Sequence, residues 1–219
     1  MNTAFYNELA PQLKAHQATL IAVTKNQPLS ALQELYDFGL RRFGENRVQE
    51  LCEKQQQLPA DIEWHLIGHL QSNKVKYIAP FISYIHSVDS LKLLEEINKH
   101  AAANNRIIKC MLQCYIASEE TKYGLDEQEL IDLLNDPNFK TLQHIEIVGL
   151  MGMATNTSDT KLIAQEFKHL KNIFNQIQSQ FFSTQKSFKE LSMGMSSDYQ
   201  IALACGSTML RIGSMLFNP

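Results

Sequence analysis

The 219-residue sequence has no marked excess of charge, no long apolar run and few cysteines. Its 20 Lys and Arg residues nearly balance its 23 Asp and Glu residues, which leaves a net charge of −3. A chain this weakly acidic has no general attraction to nucleic acid or to anionic lipid, so neither is an expected partner. No run approaches the roughly 18 apolar residues of a membrane helix, and residues 1–10 lack the basic and apolar regions of a secretory signal.

The four cysteines, Cys52, Cys110, Cys114 and Cys205, are scattered along the chain. In a chain long enough to bury a full core, this distribution is typical of reduced thiols in a cytoplasmic protein. Cys110 and Cys114 are four positions apart, but no second Cys or His pair completes a zinc pattern, so no metal site is expected.

The sequence also lacks the glycine-rich motifs G-x-G-x-x-G and G-x-x-x-x-G-K-[ST] of nucleotide-binding sheets, and it has no linker or low-complexity tract. Short apolar runs alternate with longer amphipathic segments instead. The apolar runs predict eight strands, at residues 20–23, 42–44, 63–67, 84–88, 107–116, 144–150, 189–192 and 208–212.

Local signals place a helix after each of the first seven strands and an extra helix, residues 3–16, before the first. Pro28 and Gly39 enclose one helix, and Asp126 with Glu129 three positions later predicts a capping box at the start of another. The helix after the sixth strand has one apolar face at helical period, formed by Ile163, Phe167, Leu170, Phe174, Ile177 and Phe181.

The strand at residues 20–23 is apolar throughout rather than alternating, as expected of a parallel sheet buried on both faces. Eight strand–helix units predict an α/β fold, a (β/α)₈ TIM barrel with an extra N-terminal helix, spanning residues 1–219 as a single domain. An open doubly wound sheet is the alternative, and the missing glycine-rich motifs count against it.

Lys25 ends the first predicted strand and shares side-chain parity with Ile21 and Val23, so we expect it to point into the barrel. The C-terminal strand ends are where such barrels carry their sites. Desolvation there favours the neutral amine, which can attack an aldehyde or ketone and form a Schiff base. A lysine that extends into solvent is the alternative.

The seventh and eighth strands lead into segments suited to phosphate. LSMGMSSD, residues 191–198, places Gly194 and the hydroxyls of Ser196 and Ser197 before a short predicted helix, whose free N–H groups can bind an anion. An ordinary helix N-cap is the alternative. Because the eighth strand ends in RIGS, residues 211–214, and barrel phosphate sites commonly follow these two strands, we expect a phosphate-bearing ligand.

Other polar residues near the strand ends are candidates. Arg211 lies in an apolar strand and, if buried, needs a carboxylate or a ligand. Asn46 and His65 could line the site or act as a helix cap and a core histidine, and Lys122 faces the mouth or solvent. The spacing of His65 and His69 resembles a zinc pair, but Gly68 and the strand context argue against one.

A Schiff-base lysine and a phosphate site on one rim fit pyridoxal phosphate. A Schiff-base aldolase acting on a phosphorylated sugar would need the same two features, so the residues alone leave both open.

Six motifs then occur in order along nearly the whole chain. They are IAVTK (21–25), FGENRVQE (43–50), WHLIGHLQSNK (64–74), GLM (149–151), LSMGMSSD (191–198) and GSTMLRIG (206–213). With these motifs the chain resembles the pyridoxal phosphate homeostasis protein family, which has the fold of the alanine racemase N-terminal domain.

The resemblance implies that Lys25 binds pyridoxal 5′-phosphate as a Schiff base. It also implies a set of cofactor contacts: Ser196, Ser197, Gly213 and Ser214 at the phosphate, Arg211 at the pyridine nitrogen, and Asn46 and His65 along the pocket. Because arginine stays protonated, the ring nitrogen would stay unprotonated and the ring would be a weaker electron sink.

Three places depart from the family pattern. Gln27 stands where a second lysine is frequent, Gly152-Met153-Ala154 replaces a usual Ala-Ile-Pro, and Ser214 replaces a usual Thr. The last change keeps a hydroxyl, whereas the others leave open the role of an auxiliary lysine and the shape of that loop.

The implied function is a monomeric carrier or buffer that supplies the cofactor to apo-enzymes without robust catalysis. Related racemases and decarboxylases add a β domain and residues of a partner subunit, whereas this sequence ends at Pro219, seven residues after the last predicted strand. Racemisation needs acids or bases on both faces of the substrate carbon, and no second base can be named here. A weak pyridoxal phosphate-dependent amino-acid racemase is the alternative.

Overall fold

The computed structural model describes residues 1–118 and 123–217, which form a closed barrel of eight parallel strands. The strands are β1 Thr19–Val23, β2 Arg42–Glu45, β3 Glu63–Leu66, β4 Tyr84–Val88, β5 Ile108–Gln113, β6 Ile145–Met151, β7 Glu190–Ser192 and β8 Met209–Ile212. Each strand pairs with the next, and β8 pairs with β1. The predicted TIM barrel is confirmed, and every predicted strand overlaps an observed one.

Helices surround the barrel, and one precedes it as predicted. They are α1 Thr3–Ala15, α2 Leu29–Asp37, α3 Val48–Gln55, α4 Val75–Ile78, α5 Leu91–Ala103, α6 Glu127–Asn135, α7 Thr160–Phe181, α8 Tyr199–Ala204 and α9 Ser214–Phe217. Within the described ranges, none of them is long and apolar enough to cross a membrane.

The helix boundaries follow local hydrogen bonding. The predicted capping box at α6 is present, since the Glu129 N–H donates to Asp126 Oδ1 at 2.8 Å and the Asp126 N–H donates to Glu129 Oε2 at 3.0 Å. At α5 the N-cap is Ser90, whose hydroxyl oxygen accepts from the Leu93 N–H. The helix predicted after the third strand begins as a short 3₁₀ turn, Ser72–Lys74, and continues as α4.

The core has two layers. The inner layer fills the barrel with Ile21, Tyr84, Met111, Val148, Met151 and Met209. The outer layer packs the other strand face against the helices, and the predicted face of α7 lies in it with all members buried except Phe181, which is half-buried. Burial on both faces explains why several strands are apolar throughout.

Closure of the barrel brings β1, β7 and β8 together. In the β1–β8 register, Ile21 is paired with Arg211 and Ala22 with Ile212. The Arg211 N–H also donates to the Gly194 carbonyl at 2.9 Å, which joins β8 to the segment after β7. The loop that carries Lys25 therefore emerges on the same rim as the two segments predicted to bind phosphate.

Candidate functional site

Lys25 lies in a four-residue turn directly after β1. The Gln27 N–H donates to the Thr24 carbonyl at 3.1 Å and closes the turn, while Asn26 takes a left-handed backbone with φ 59°. Asparagine tolerates this conformation better than most residues. The Lys25 side chain is exposed, so the expected desolvation of its amine is not found. The reason is that β1 ends at Val23, and Lys25 extends from a turn rather than from the pleated strand.

The segment after β7 forms a tight turn before α8. Gly194 has φ 95°, and a Cβ there would lie 2.8 Å from a methyl group of Leu210. The Met195 N–H donates to the Asp198 carboxylate at 2.6 Å, which shapes the turn. Ser196 is half-buried and Ser197 is exposed, so both lie at the rim.

The segment after β8 lies beside the end of β1. A Cβ at Gly213 would come within 3.2 Å of the Val23 carbonyl oxygen, so glycine suits this close approach. Ser214 is exposed and begins α9. Its hydroxyl is thus on the same rim as Lys25.

Arg211 is almost fully buried, at 4% exposure. Its Nη1 donates to Ser192 Oγ at 2.7 Å, and its Nη2 donates to the Gly152 carbonyl at 3.1 Å. Burial lowers the pKa of the guanidinium to about 10, with the nearby Asp198 charge acting in the opposite direction. Arg211 therefore keeps its charge at neutral pH.

Four buried or half-buried side chains continue from Arg211 through the barrel interior. His86 Nδ1 lies 2.9 Å from Ser192 Oγ, His86 Nε2 lies 2.9 Å from His65 Nδ1, and His65 Nε2 lies 3.1 Å from Glu63 Oε1. We call Glu63, His65, His86, Ser192 and Arg211 the internal hydrogen-bond series. It connects the start of β3 with the mouth of the barrel.

The internal hydrogen-bond series has one consistent direction. The pKa of Glu63 is lowered to about 2, first by the hydrogen bond from His65, so it is a carboxylate that only accepts. Burial lowers the pKa of His65 and, more strongly, that of His86, so both rings are neutral. His65 then donates to Glu63, His86 to His65, Ser192 to His86 and Arg211 to Ser192, with one proton for each contact.

His65, which was expected to line the cofactor pocket, lies in the barrel interior. Its ring is fully buried, both nitrogens are engaged, and one face stacks on Tyr84 with ring centres 4.5 Å apart. Through His86 and Ser192 it is connected by hydrogen bonds to Arg211. The sequence interpretation missed Glu63, His86 and Ser192, although strand parity could have indicated Glu63, which lies two residues before His65 on β3.

Asn46 is half-buried after β2, and its Oδ1 is buried with no hydrogen-bond partner among the described residues. The Asn46 backbone lies against Gly68, two residues after the end of β3, so closely that a Cβ at Gly68 would be 2.8 Å from the Asn46 Cα. Asn46 also lines a surface cavity of about 610 Å³, together with Arg47, His69, Lys74 and others. Its oxygen is an acceptor that a ligand donor could satisfy.

The Gly152 departure from the family pattern has a structural counterpart. Its carbonyl accepts from Arg211, and a Cβ would lie 2.7 Å from Leu170 Cδ2. An alanine at this position would require Leu170 to move.

The remaining candidates lie away from this arrangement. His69 is exposed and lies 3.5 Å from the Asp89 carboxylate, whereas His65 is buried in the barrel. Among residues 1–118 and 123–217 no group of three His, Cys, Asp or Glu side chains could hold a metal ion. Lys122 lies outside the described residues.

The fold and the rim define a barrel of the alanine racemase N-terminal-domain type, and the model of the family "Alanine racemase, N-terminal domain" matches residues 5–219. A pyridoxal phosphate homeostasis protein of Helicobacter pylori is 38% identical over 205 residues, which cover 93% of this chain and 88% of the relative. A pyridoxal phosphate homeostasis protein of Synechocystis sp. is 37% identical over 219 residues, which cover 97% of this chain and 96% of the relative. The chain belongs to the pyridoxal phosphate homeostasis protein family.

Solved structures agree with this assignment. PipY of Synechococcus elongatus, solved without pyridoxal phosphate, superposes with a TM-score of 0.91 at 38% identity over 100% of both chains. The same protein with the cofactor bound gives a TM-score of 0.84 over 95% of this chain and 99% of that one. An alanine racemase of Clostridium difficile shares the fold, with a TM-score of 0.70 at 15% identity over 95% of this chain and 55% of the enzyme.

Acid should destabilise the protein through its buried histidines. Unfolded histidine protonates near pH 6.5, whereas burial lowers the pKa of His86 well below that value, so the unfolded state binds more protons and stability falls as pH falls. The limiting slope is about 1.4 kcal/mol per pH unit for each proton. His86→Gln should therefore lose unfolding free energy less steeply than wild type between pH 7 and 5 in urea titrations.

The matched control for this prediction is His69→Gln, because His69 is exposed. Glu63 stays ionised throughout the range, and its contribution is lost only as pH falls from its unfolded pKa towards about 2. Equal slopes for His86→Gln and His69→Gln would contradict the account of a buried, neutral His86.

Proposed function

We propose that this protein binds pyridoxal 5′-phosphate as a Schiff base on Lys25 and acts in intracellular pyridoxal phosphate homeostasis. In this proposal it is a carrier or buffer that supplies apo-enzymes, without robust catalysis. The observation that carries the proposal is the placement of Lys25, two serine-bearing turns and the buried Arg211 on one rim. The bound cofactor in PipY, at 38% identity, supports the ligand.

Pyridoxal phosphate supplies an aldehyde for a lysine amine and a conjugated ring that takes up electrons. Lys25 would hold the aldehyde carbon through Nζ, with loss of water, and its exposed amine is accessible for this bond. The hydroxyl groups of Ser196, Ser197 and Ser214 would donate hydrogen bonds to the phosphate oxygens. Gly213 would let the backbone approach the phosphate.

Two buried polar groups fit the rest of the ligand. The Asn46 Oδ1 has no hydrogen-bond partner among the described residues, so it can accept from a ligand donor without losing an existing bond. The Arg211 guanidinium, with a pKa of about 10, would face the pyridine nitrogen as a donor and oppose its protonation. This suits retention of the cofactor better than strong electron withdrawal.

The histidines inside the barrel also support a carrier. His65 and His86 are neutral and fully buried, and each uses both ring nitrogens within the internal hydrogen-bond series. Neither is free to move a proton on a substrate. The proposal further includes a monomeric, cytoplasmic protein acting as one domain over residues 1–219. The four cysteines, all in the described ranges, are free thiols, which suits a reducing compartment.

Substitution of Lys25 should abolish covalent binding. Wild-type protein mixed with pyridoxal phosphate should develop visible absorbance, and borohydride reduction followed by peptide mapping should place the adduct on the peptide with Lys25. Lys25→Ala should show neither. Lys189→Ala is the matched control, because Lys189 is exposed just before β7, at the opposite end of the barrel.

An adduct on a peptide without Lys25 would overturn the assignment. If wild type binds no pyridoxal phosphate but borohydride traps a phosphorylated ketose on Lys25, the aldolase hypothesis replaces the carrier.

Loaded protein should deliver its cofactor to an apo-enzyme. With a phosphatase present that destroys free pyridoxal phosphate, loaded wild type should reactivate the apo-enzyme more fully than an equimolar amount of free cofactor. Lys25→Ala mixed with the same amount of cofactor should give no such advantage. A panel of L-amino acids incubated with loaded protein should show no substantial change of configuration, and substantial racemisation would replace the carrier with an enzyme.

A further inference from the structure

Lys54, on α3, is a buried lysine with 6% exposure and lies outside the proposed contacts to the cofactor. Its Nζ donates to the Thr24 carbonyl at 2.7 Å, to Glu45 Oε1 at 2.8 Å and to Glu50 Oε1 at 2.6 Å. An ammonium group has three N–H donors, and here each has one acceptor. We call Lys54, Glu45, Glu50 and Thr24 the Lys54 cluster.

The two carboxylates of the Lys54 cluster also hold the residues on either side of Lys25. The Thr24 hydroxyl donates to Glu45 Oε1 at 2.5 Å, and the Asn26 N–H donates to Glu50 Oε1 at 2.6 Å. Thr24, the first residue of the turn, is therefore fixed through its carbonyl and its hydroxyl. Asn26, the third residue and the one with left-handed backbone, is fixed through its N–H. Between these two fixed residues, the Lys25 side chain remains exposed.

Stability alone is a poor reason for such a cluster. Charges removed from water carry a desolvation cost, and apolar residues of similar volume often replace buried ion pairs without loss of stability. Here Glu45 is fully buried, and its Oε2 has no hydrogen-bond partner among the described residues. The desolvation cost of these charges therefore needs another explanation. The cluster's hydrogen bonds to the backbone of Thr24 and Asn26 provide one, because they fix the turn around Lys25.

We propose that Lys54, with Glu45 and Glu50, is a positioning residue that fixes the turn around Lys25 and so presents its amine to the aldehyde. The inference rests on the proposed function, in which Lys25 Nζ bonds to the aldehyde carbon and the aldehyde oxygen leaves as water. A fixed turn restricts the amine to fewer positions, and misplacement by about 1 Å can cost a reaction on the order of 100-fold in rate.

The test separates bond formation from binding. Glu50→Ala removes the acceptor of the Asn26 N–H, and its partly exposed carboxylate makes loss of folding less of a risk than in Lys54→Met, which removes all three bonds. Glu53→Ala is the matched control, because Glu53 is an exposed glutamate on the same helix. The probes are pyridoxal phosphate and deoxypyridoxine phosphate, which lacks the aldehyde.

We expect Glu50→Ala to bind deoxypyridoxine phosphate within about twofold of wild type, and to form the Schiff-base absorbance at least about tenfold more slowly. Lys54→Met should be slower still, and Glu53→Ala should match wild type. In the protein without cofactor, the Asn26 amide should exchange its hydrogen faster in Glu50→Ala than in Glu53→Ala.

Wild-type rates of bond formation in Glu50→Ala would overturn the inference. The inference would also be overturned if Glu50→Ala lowered the affinity for the analogue and the melting temperature along with the rate of bond formation, because that pattern indicates general support of the fold. If wild type forms no bond on Lys25, the proposed function fails, while amide exchange at Asn26 still decides whether the Lys54 cluster fixes the turn. If Lys54→Met does not fold, Glu50→Ala is sufficient for the decision.

Discussion

The pairing of β1 with β8 is the constraint on which the site depends. It joins the first and last strands of the sequence and sets Ile21 beside Arg211, about 190 positions away along the chain. Without this closure the Lys25 turn and the segment at Gly213 would lie at opposite edges of a sheet. With it, Lys25 and the two serine-bearing turns lie on one rim, where we propose that pyridoxal phosphate binds.

Two groups of buried polar side chains form hydrogen bonds to residues at this rim. The internal hydrogen-bond series runs inside the barrel and gives Arg211 a defined acceptor in Ser192. The Lys54 cluster lies between the barrel and α3 and fixes the turn around Lys25. In the proposed complex, the internal hydrogen-bond series contacts the pyridine ring through Arg211, and the Lys54 cluster positions the lysine that bonds to the aldehyde. Both place charge where water is scarce, so each residue in them depends on its neighbours.

The sequence predicts those parts of the structure that depend on short-range patterns. Apolar runs located all eight strands, helical periodicity located α7, and the Asp126–Glu129 spacing located the capping box at α6. The predicted position of Lys25 directly after β1 was also correct. Its side chain was expected to point into the barrel but is exposed, because the alternation of side chains along a strand ends where the turn begins. Register and side-chain direction across a closed barrel are set by distant residues, which no local pattern reveals.

The same limit explains the missed residues. The contact of His86 with Ser192 joins residues 106 positions apart, and that of Lys54 with Thr24 joins residues 30 positions apart. His65 was a candidate from its place on the third predicted strand and from the family motif, with a core histidine as the alternative, and the structure places it in the barrel interior against Tyr84. A motif identifies a residue, whereas the packing of the whole chain decides which side chains that residue contacts.

A crystal structure of the protein loaded with pyridoxal phosphate tests the central claim most directly. The account predicts continuous density from Lys25 Nζ into the cofactor, Arg211 at the ring nitrogen, and the phosphate at Ser196, Ser197, Gly213 and Ser214. Cofactor seated instead in the 610 Å³ cavity beside Arg47 and Lys74, with the Lys25 amine unmodified, would contradict it.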